Sequence, residues 1–142
     1  MTRATRIDFE FVDTIPEDVA NGVLYISTKY ATVVHRCCCG CGMEVVTPLA
    51  RDQWSLTFDG ESVSLHPSVG NWSFACQSHY WIRNNQIRWA RKFSQAEIKD
   101  VRGLGPEVSV ERSVGDAMSS AKQPRGLKRI VTSFASFVRG QR

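Results

Sequence analysis

Apolar and polar residues alternate along most of the first 92 positions. Ile7, Phe9 and Phe11 stand between polar neighbours and predict an edge strand, which an acidic turn around Pro16 follows. Residues 22–27 and 31–36 are β-rich runs that lead into a cluster of cysteines, and residues 44–49 lead out of it. The alternation resumes at Trp54, Leu56 and Phe58, passes Asp59-Gly60, and continues through Val63 and Leu65. That arrangement predicts a hairpin turning on the Asp-Gly pair, with the two apolar sets on one face. Tyr80–Arg83 and Gln86–Trp89 flank Asn84-Asn85, a pair that tolerates the positive φ of a two-residue turn. The fold class expected is mostly β: a small antiparallel hairpin domain over residues 1–92.

The pattern changes after Phe93. Ser94 and Glu97 have the spacing of a capping box, which predicts a short helix over 93–102. Residues 103–124, rich in Gly, Pro and Ser, read as a linker. From 125 to 140, Leu127, Ile130, Val131, Phe134, Phe137 and Val138 recur at helical spacing beside Lys128, Arg129 and Arg139, predicting a basic amphipathic helix. Its apolar stripe would dock on the body or a partner, or lie on an anionic membrane surface.

Charge sharpens this division. The net +4 of the 142 residues is unevenly spread. Residues 1–120 hold 12 Lys/Arg against 14 Asp/Glu, whereas residues 121–142 hold six basic residues and no acid. A near-neutral body does not predict nucleic-acid binding, which needs clustered positive charge beside the reading surface. No apolar run approaches the roughly 20 residues of a bilayer span. The first residues also lack a secretory h-region, so a cytoplasmic protein is expected.

Four of the five cysteines, Cys37, Cys38, Cys39 and Cys41, fall within five positions, and Cys76 stands apart in Cys76-Gln77-Ser78-His79. Such crowding makes a poor disulfide framework, because neighbouring cysteines rarely reach bridging geometry. It suits zinc, which gathers several soft donors about 2.3 Å from one point. Spacing leaves the ligand set open. Cys38 and Cys41 form a C-x-x-C-G knuckle, while Cys37, Cys39 and Cys41 alternate and can share one side of an extended segment. Cys76 completes the second set, with His79 as a further donor.

Two strings carry a resemblance: His35-Arg36-Cys37-Cys38-Cys39-Gly40-Cys41-Gly42, and the segment from Ser64 to Ile82 that contains Pro67-Ser68-Val69-Gly70-Asn71-Trp72 and Cys76-Gln77-Ser78-His79-Tyr80-Trp81. Over residues 20–90 the chain resembles a small bacterial zinc-binding family of unknown function, encoded beside ubiquitin-like proteins and their activating and conjugating enzymes. The family pattern H-x-C-x-C-G-C-G places His35, Cys37, Cys39 and Cys41 in the motif and leaves Cys38 at an interchangeable position. The ligands it implies are four among Cys37, Cys39, Cys41, Cys76 and His79. It further implies a cytoplasmic peptidase, in an antiphage setting, that processes or deconjugates a ubiquitin-like protein. The partners it implies are that protein or its conjugates, with the activating and conjugating enzymes as further candidates.

The H-E-x-x-H zinc-peptidase signature is absent, and a thiolate-rich zinc is a poor Lewis acid. Serine chemistry on a zinc-braced scaffold is therefore expected, with a zinc-dependent peptidase and a non-catalytic zinc interaction module as alternatives. The serines that match the family by this resemblance are Ser64, Ser68 and Ser78; the matching histidines are His35 and His79. Ser78 with His35 is the leading pair, because metal closure would bring the two motifs together; His79 and Ser68 are the alternates. Trp72, Tyr80, Trp81 and Trp89 would form either a peptide-recognition surface or the core.

Overall fold

The computed structural model describes residues 2–103 and 109–111. It is mostly β, with two small sheets and one short helix. The first sheet has the order β1-β2-β3-β4-β9, from Asp8–Phe11, Val23–Ser27, Thr32–Arg36, Glu44–Pro48 and Ser109–Glu111. The second is β5-β6-β7-β8, from Ser55–Phe58, Val63–Gly70, His79–Arg83 and Gln86–Trp89. Helix α1 spans Gln95–Arg102.

One core joins the sheets. Leu24, Ile26, Val33 and Val45 from the first meet Val63, Leu65, Val69, Tyr80 and Ile82 from the second, with Trp54 between them. Strands β2 and β3 are buried on both faces, because the 12–22 crossover covers the back with Ile15 and Val19, packed on Tyr25 and Val34. The crossover also makes β1 a parallel partner of β2, a departure from the hairpin pattern expected throughout. β1 is the edge strand that its alternation predicts.

The Asn84-Asn85 turn forms as read, with φ of 49° and 61° and Arg83 facing Gln86. The hairpin before it turns one residue later than the Asp-Gly reading. Asp59 pairs with Ser62 through its N–H, and its carboxylate accepts from the N–H groups of Glu61 and Ser62. Gly60, at φ 99°, and Glu61 are therefore the central residues. Ser94 caps α1 and Glu97 completes the capping box. β9 pairs with β4 inside the stretch read as a linker. The helix expected over 125–140 lies outside the described residues. Among the described residues, no helix is long and apolar enough to cross a membrane.

Strand β6 carries an irregularity that matters for the site. Leu65 faces Ile82, but Val69 faces Tyr80, so four steps on β6 match two on β7. Pro67 lies in this stretch and has no N–H to give the ladder. An excess of two keeps the inside–outside phase: Val69 and Tyr80 point into the core, while Ser68, Gly70, His79 and Trp81 share the opposite face.

Candidate functional site

The link between β3 and β4 is a tight turn. The N–H of Cys37 donates to Met43 across its neck, the N–H of Gly40 donates to Cys37, and Gly40 and Gly42 take φ of 87° and 82°. Facing it is the 71–78 loop, pinned by Asn71 N–H to Ser78 O at 2.8 Å and by Gln77 N–H to Phe74 O at 3.0 Å. The two segments bring Cys37, Cys39, Cys41 and Cys76 together, with all four Sγ atoms within 4.8 Å of one another. Cys37 lies 3.4 Å from Cys39 and 3.9 Å from Cys76, and Cys41 lies 3.8 Å from Cys76. Four thiolates about 2.3 Å from a common centre would be spaced in this way. These four residues can hold a metal ion.

The chemistry of the donors fits a dication. Burial pushes the Cys37 thiol far up and the Cys39 thiol to about 11, a cost that a bound cation would reverse. Burial also raises Cys76, but hydrogen bonding with the Ser78 hydroxyl, the Ser78 backbone and the Cys39 and Cys41 thiols outweighs it, and the net direction is down. Cys38 stays outside the cluster; its buried thiol belongs to the core. His79 is also outside it, so among the five expected donors the four cysteines come together.

Ser78 and His35 are not brought together. The Ser78 hydroxyl lies 3.0 Å from the Cys37 sulfur and 3.5 Å from the Cys76 sulfur, and it accepts from Asn71 Nδ2 at 2.8 Å. His35 sits mid-strand on the core side, fully buried, with Nε2 2.9 Å from the Tyr80 hydroxyl. Asn71 and Tyr80 thus stand between the expected partners, joined by a 3.4 Å contact. Burial lowers the His35 pKa to about 3, so the imidazole stays neutral. Both expected residues belong to a buried polar chain behind the cysteines. Asn71 is the member that sequence reading missed; only its place in the Gly70-Asn71-Trp72 string could have signalled it.

The alternates do meet. Ser68 Oγ lies 2.9 Å from His79 Nε2, on the outward face of β6 and β7. Both residues line a cleft of about 230 Å³ with Pro67, Gly70, Trp72, Phe93 and Val101. Rings hold the imidazole on three sides: Trp72 at 4.9 Å, Phe93 at 4.9 Å and Trp81 at 5.3 Å between centroids. Burial among them lowers the His79 pKa below its usual value. Its Nδ1 has no hydrogen-bond partner among the described residues, so packing and not a carboxylate orients the ring. Gly70 faces His79 across the strands, and a Cβ there would fall 2.5 Å from the Trp72 indole, which lies over the bare backbone. Of the four aromatics singled out above, Trp72 and Trp81 flank His79. Tyr80 is core, and Trp89 packs against the core while donating to Ala4 O at 2.8 Å. Ser64 lies apart, bonded to the Asn84 turn.

Residues 11–90 match the family described as bacterial ubiquitination-like system serine protease (BubE). The chain belongs to that family. No curated protein and no solved structure gives a match. The matched span contains the four clustered cysteines, the buried polar chain, Ser68 and His79. Phe93 and helix α1, which complete the cleft wall, lie beyond it. Phe93 and Val101 are cleft residues that sequence reading did not identify.

Proposed function

We propose that this protein is a serine peptidase of a bacterial ubiquitination-like system, with Ser68 as nucleophile and His79 as general base. The observation that carries the reading is the 2.9 Å hydrogen bond between them in an open cleft. The family's description as a serine protease supports the serine class. Of the serine–histidine pairs weighed from the sequence, this one has nucleophile–base contact.

The chemistry follows from the geometry. A neutral His79 Nε2 takes the Ser68 proton as Oγ bonds to the carbonyl carbon of the scissile peptide. The same proton passes from Nε2 to the leaving amine as the C–N bond breaks. Water then repeats the sequence, giving its proton to His79 and releasing the acid, while Ser68 regains its hydrogen. The lowered His79 pKa keeps the base unprotonated near neutrality.

Zinc is the metal we assign to Cys37, Cys39, Cys41 and Cys76; when bound it supplies a cross-link between the cysteine turn and the 71–79 segment. Four thiolates fill a tetrahedral shell, which favours a structural centre over a zinc-dependent peptidase. Ser78 then stabilises the Cys37 thiolate, the nearer of its two sulfur neighbours, by donating its hydroxyl proton, as residues around a metal centre commonly do. The substrate proposed is the precursor or a conjugate of a ubiquitin-like protein, in the cytoplasm of a bacterium that carries the conjugation enzymes.

The test is cleavage of a tagged ubiquitin-like precursor from the same operon. Wild type and Ser78→Ala should release the tag, and Ser68→Ala should not. Full activity in Ser68→Ala would overturn the assignment.

A further inference from the structure

We infer that the cleft beside Ser68 is an aliphatic side-chain pocket for the residue whose carbonyl is attacked, and that Phe93 and Val101 set its size. This rests on the Ser68–His79 reading. The Cα of that residue is bonded directly to the carbon that Ser68 attacks, so its side chain is the substrate group nearest the cleft.

The walls specify the chemistry. Besides the dyad, the cleft is lined by Pro67, Gly70, Trp72, Phe93 and Val101, none of which carries a charge. Trp72 and Phe93 stack at 5.1 Å with their planes 15° apart and form a continuous apolar wall. The nearby cation Arg91 lies over the Phe93 ring at 4.8 Å and pairs with Glu97 on α1, so its charge is already partnered. A charged substrate side chain entering the cleft would lose its hydration with no charged partner among the described lining residues, whereas an aliphatic one is favoured by burial. A cleft of about 230 Å³ accommodates a Val- or Leu-sized group.

Val101 lines the cleft without a ring contact to His79, whereas Phe93 touches the imidazole as well as the cleft, so Val101 is the cleaner probe of selectivity. Both lie outside the family-matched span, on the segment that α1 carries, whereas Ser68 and His79 lie within it. Ser94 capping and the Arg102–Ser73 hydrogen bond at 2.9 Å fix this segment against the 71–78 loop. A change at Val101 in α1 would therefore reset the side chain accepted while leaving the Ser68–His79 contact in place.

The experiment uses the full chain and a series of peptidyl diphenyl phosphonates whose terminal side chain is that of Gly, Ala, Val, Leu, Phe, Asp or Lys. Each reagent reacts when Ser68 Oγ bonds to phosphorus and phenoxide leaves, and intact mass gives the rate. An otherwise undecorated fluorophosphonate reports the dyad independently. We expect Val and Leu to react on the order of 100-fold faster than Asp and Lys. Phe93→Ala should move the optimum toward Phe, and Val101→Phe should move it toward Ala; the opposite directions distinguish a resized pocket from a damaged fold. If the fluorophosphonate labels Ser68 but the series is flat, or favours Asp or Lys, the pocket proposal fails and the dyad stands. The proposal also fails if both variants keep the wild-type order. If the fluorophosphonate does not label Ser68, the dyad reading falls and the pocket proposal with it.

Discussion

His79 on β7 faces Gly70 across the sheet and reaches diagonally to Ser68 on β6, with Nε2 2.9 Å from Oγ. The bare backbone of Gly70 is what admits Trp72 beside the imidazole. The pair thus combines a hydroxyl–imidazole contact with an apolar wall.

Removal of either partner should be costly. Ser68→Ala and His79→Ala should each lower kcat/KM by roughly 10³-fold or more, with the double variant little worse than either alone, because the two act as a unit. Thermal unfolding should change little in Ser68→Ala, whose side chain is only partly buried. Steady-state cleavage of the precursor and calorimetry measure the two effects.

The pH profile should follow the free base. Burial lowers the His79 pKa, and the proposed base works in its unprotonated form. Hence kcat/KM should be level from neutrality to about pH 8 and should fall in acid with a midpoint below the ordinary histidine value. Phe93→Ala opens one side of the ring to water, so its midpoint should move up toward the ordinary value. A midpoint that stays put in that variant would mean that packing by Phe93 does not lower the pKa.

Metal should be needed for placement. Cys76, three residues before His79, ties the 71–79 segment to the cysteine turn. Elemental analysis should give one zinc per chain, and chelation should abolish Ser68 labelling together with loss of near-UV dichroism. Ser78→Ala removes a hydroxyl 3.0 Å from Cys37 and should weaken zinc affinity by about 10–100-fold while leaving the zinc-saturated enzyme active. Competition against a zinc dye reads the affinity.

Gly70→Ala tests the wall. Its Cβ would fall 2.5 Å from the Trp72 Cε2 and Nε1 atoms, forcing the indole off the backbone. Stability should fall by about 1–3 kcal/mol, and KM should rise several-fold with a smaller change in kcat. Tryptophan fluorescence should report the displaced ring.

Local features carried much of this in the sequence. The Asn84-Asn85 turn, the Ser94–Glu97 box and the strand alternation needed only near neighbours, and each forms as its residues predict. The parallel β1 was not legible, because the 12–22 crossover has no periodicity to announce it. The cysteine cluster was legible as a donor set, since crowding of thiols is itself the signal. The exclusion of His79 was not, because spacing from Cys76 is compatible with either ligand or free base.

Ser78 leads and Ser68 is the alternate when the sequence is read alone, because Ser78 stands beside the cysteines that metal closure would gather. That proximity is real, but it makes Ser78 a partner of sulfur. The sequence by itself determined that the chain is mostly β and that its thiols gather. Only the tertiary structure decided which hydroxyl meets which imidazole. The pairing depends on a two-residue slip between β6 and β7 and on a helix that brings Phe93 and Val101 to the same cleft. Register and docking are set by long-range packing, which no local pattern encodes.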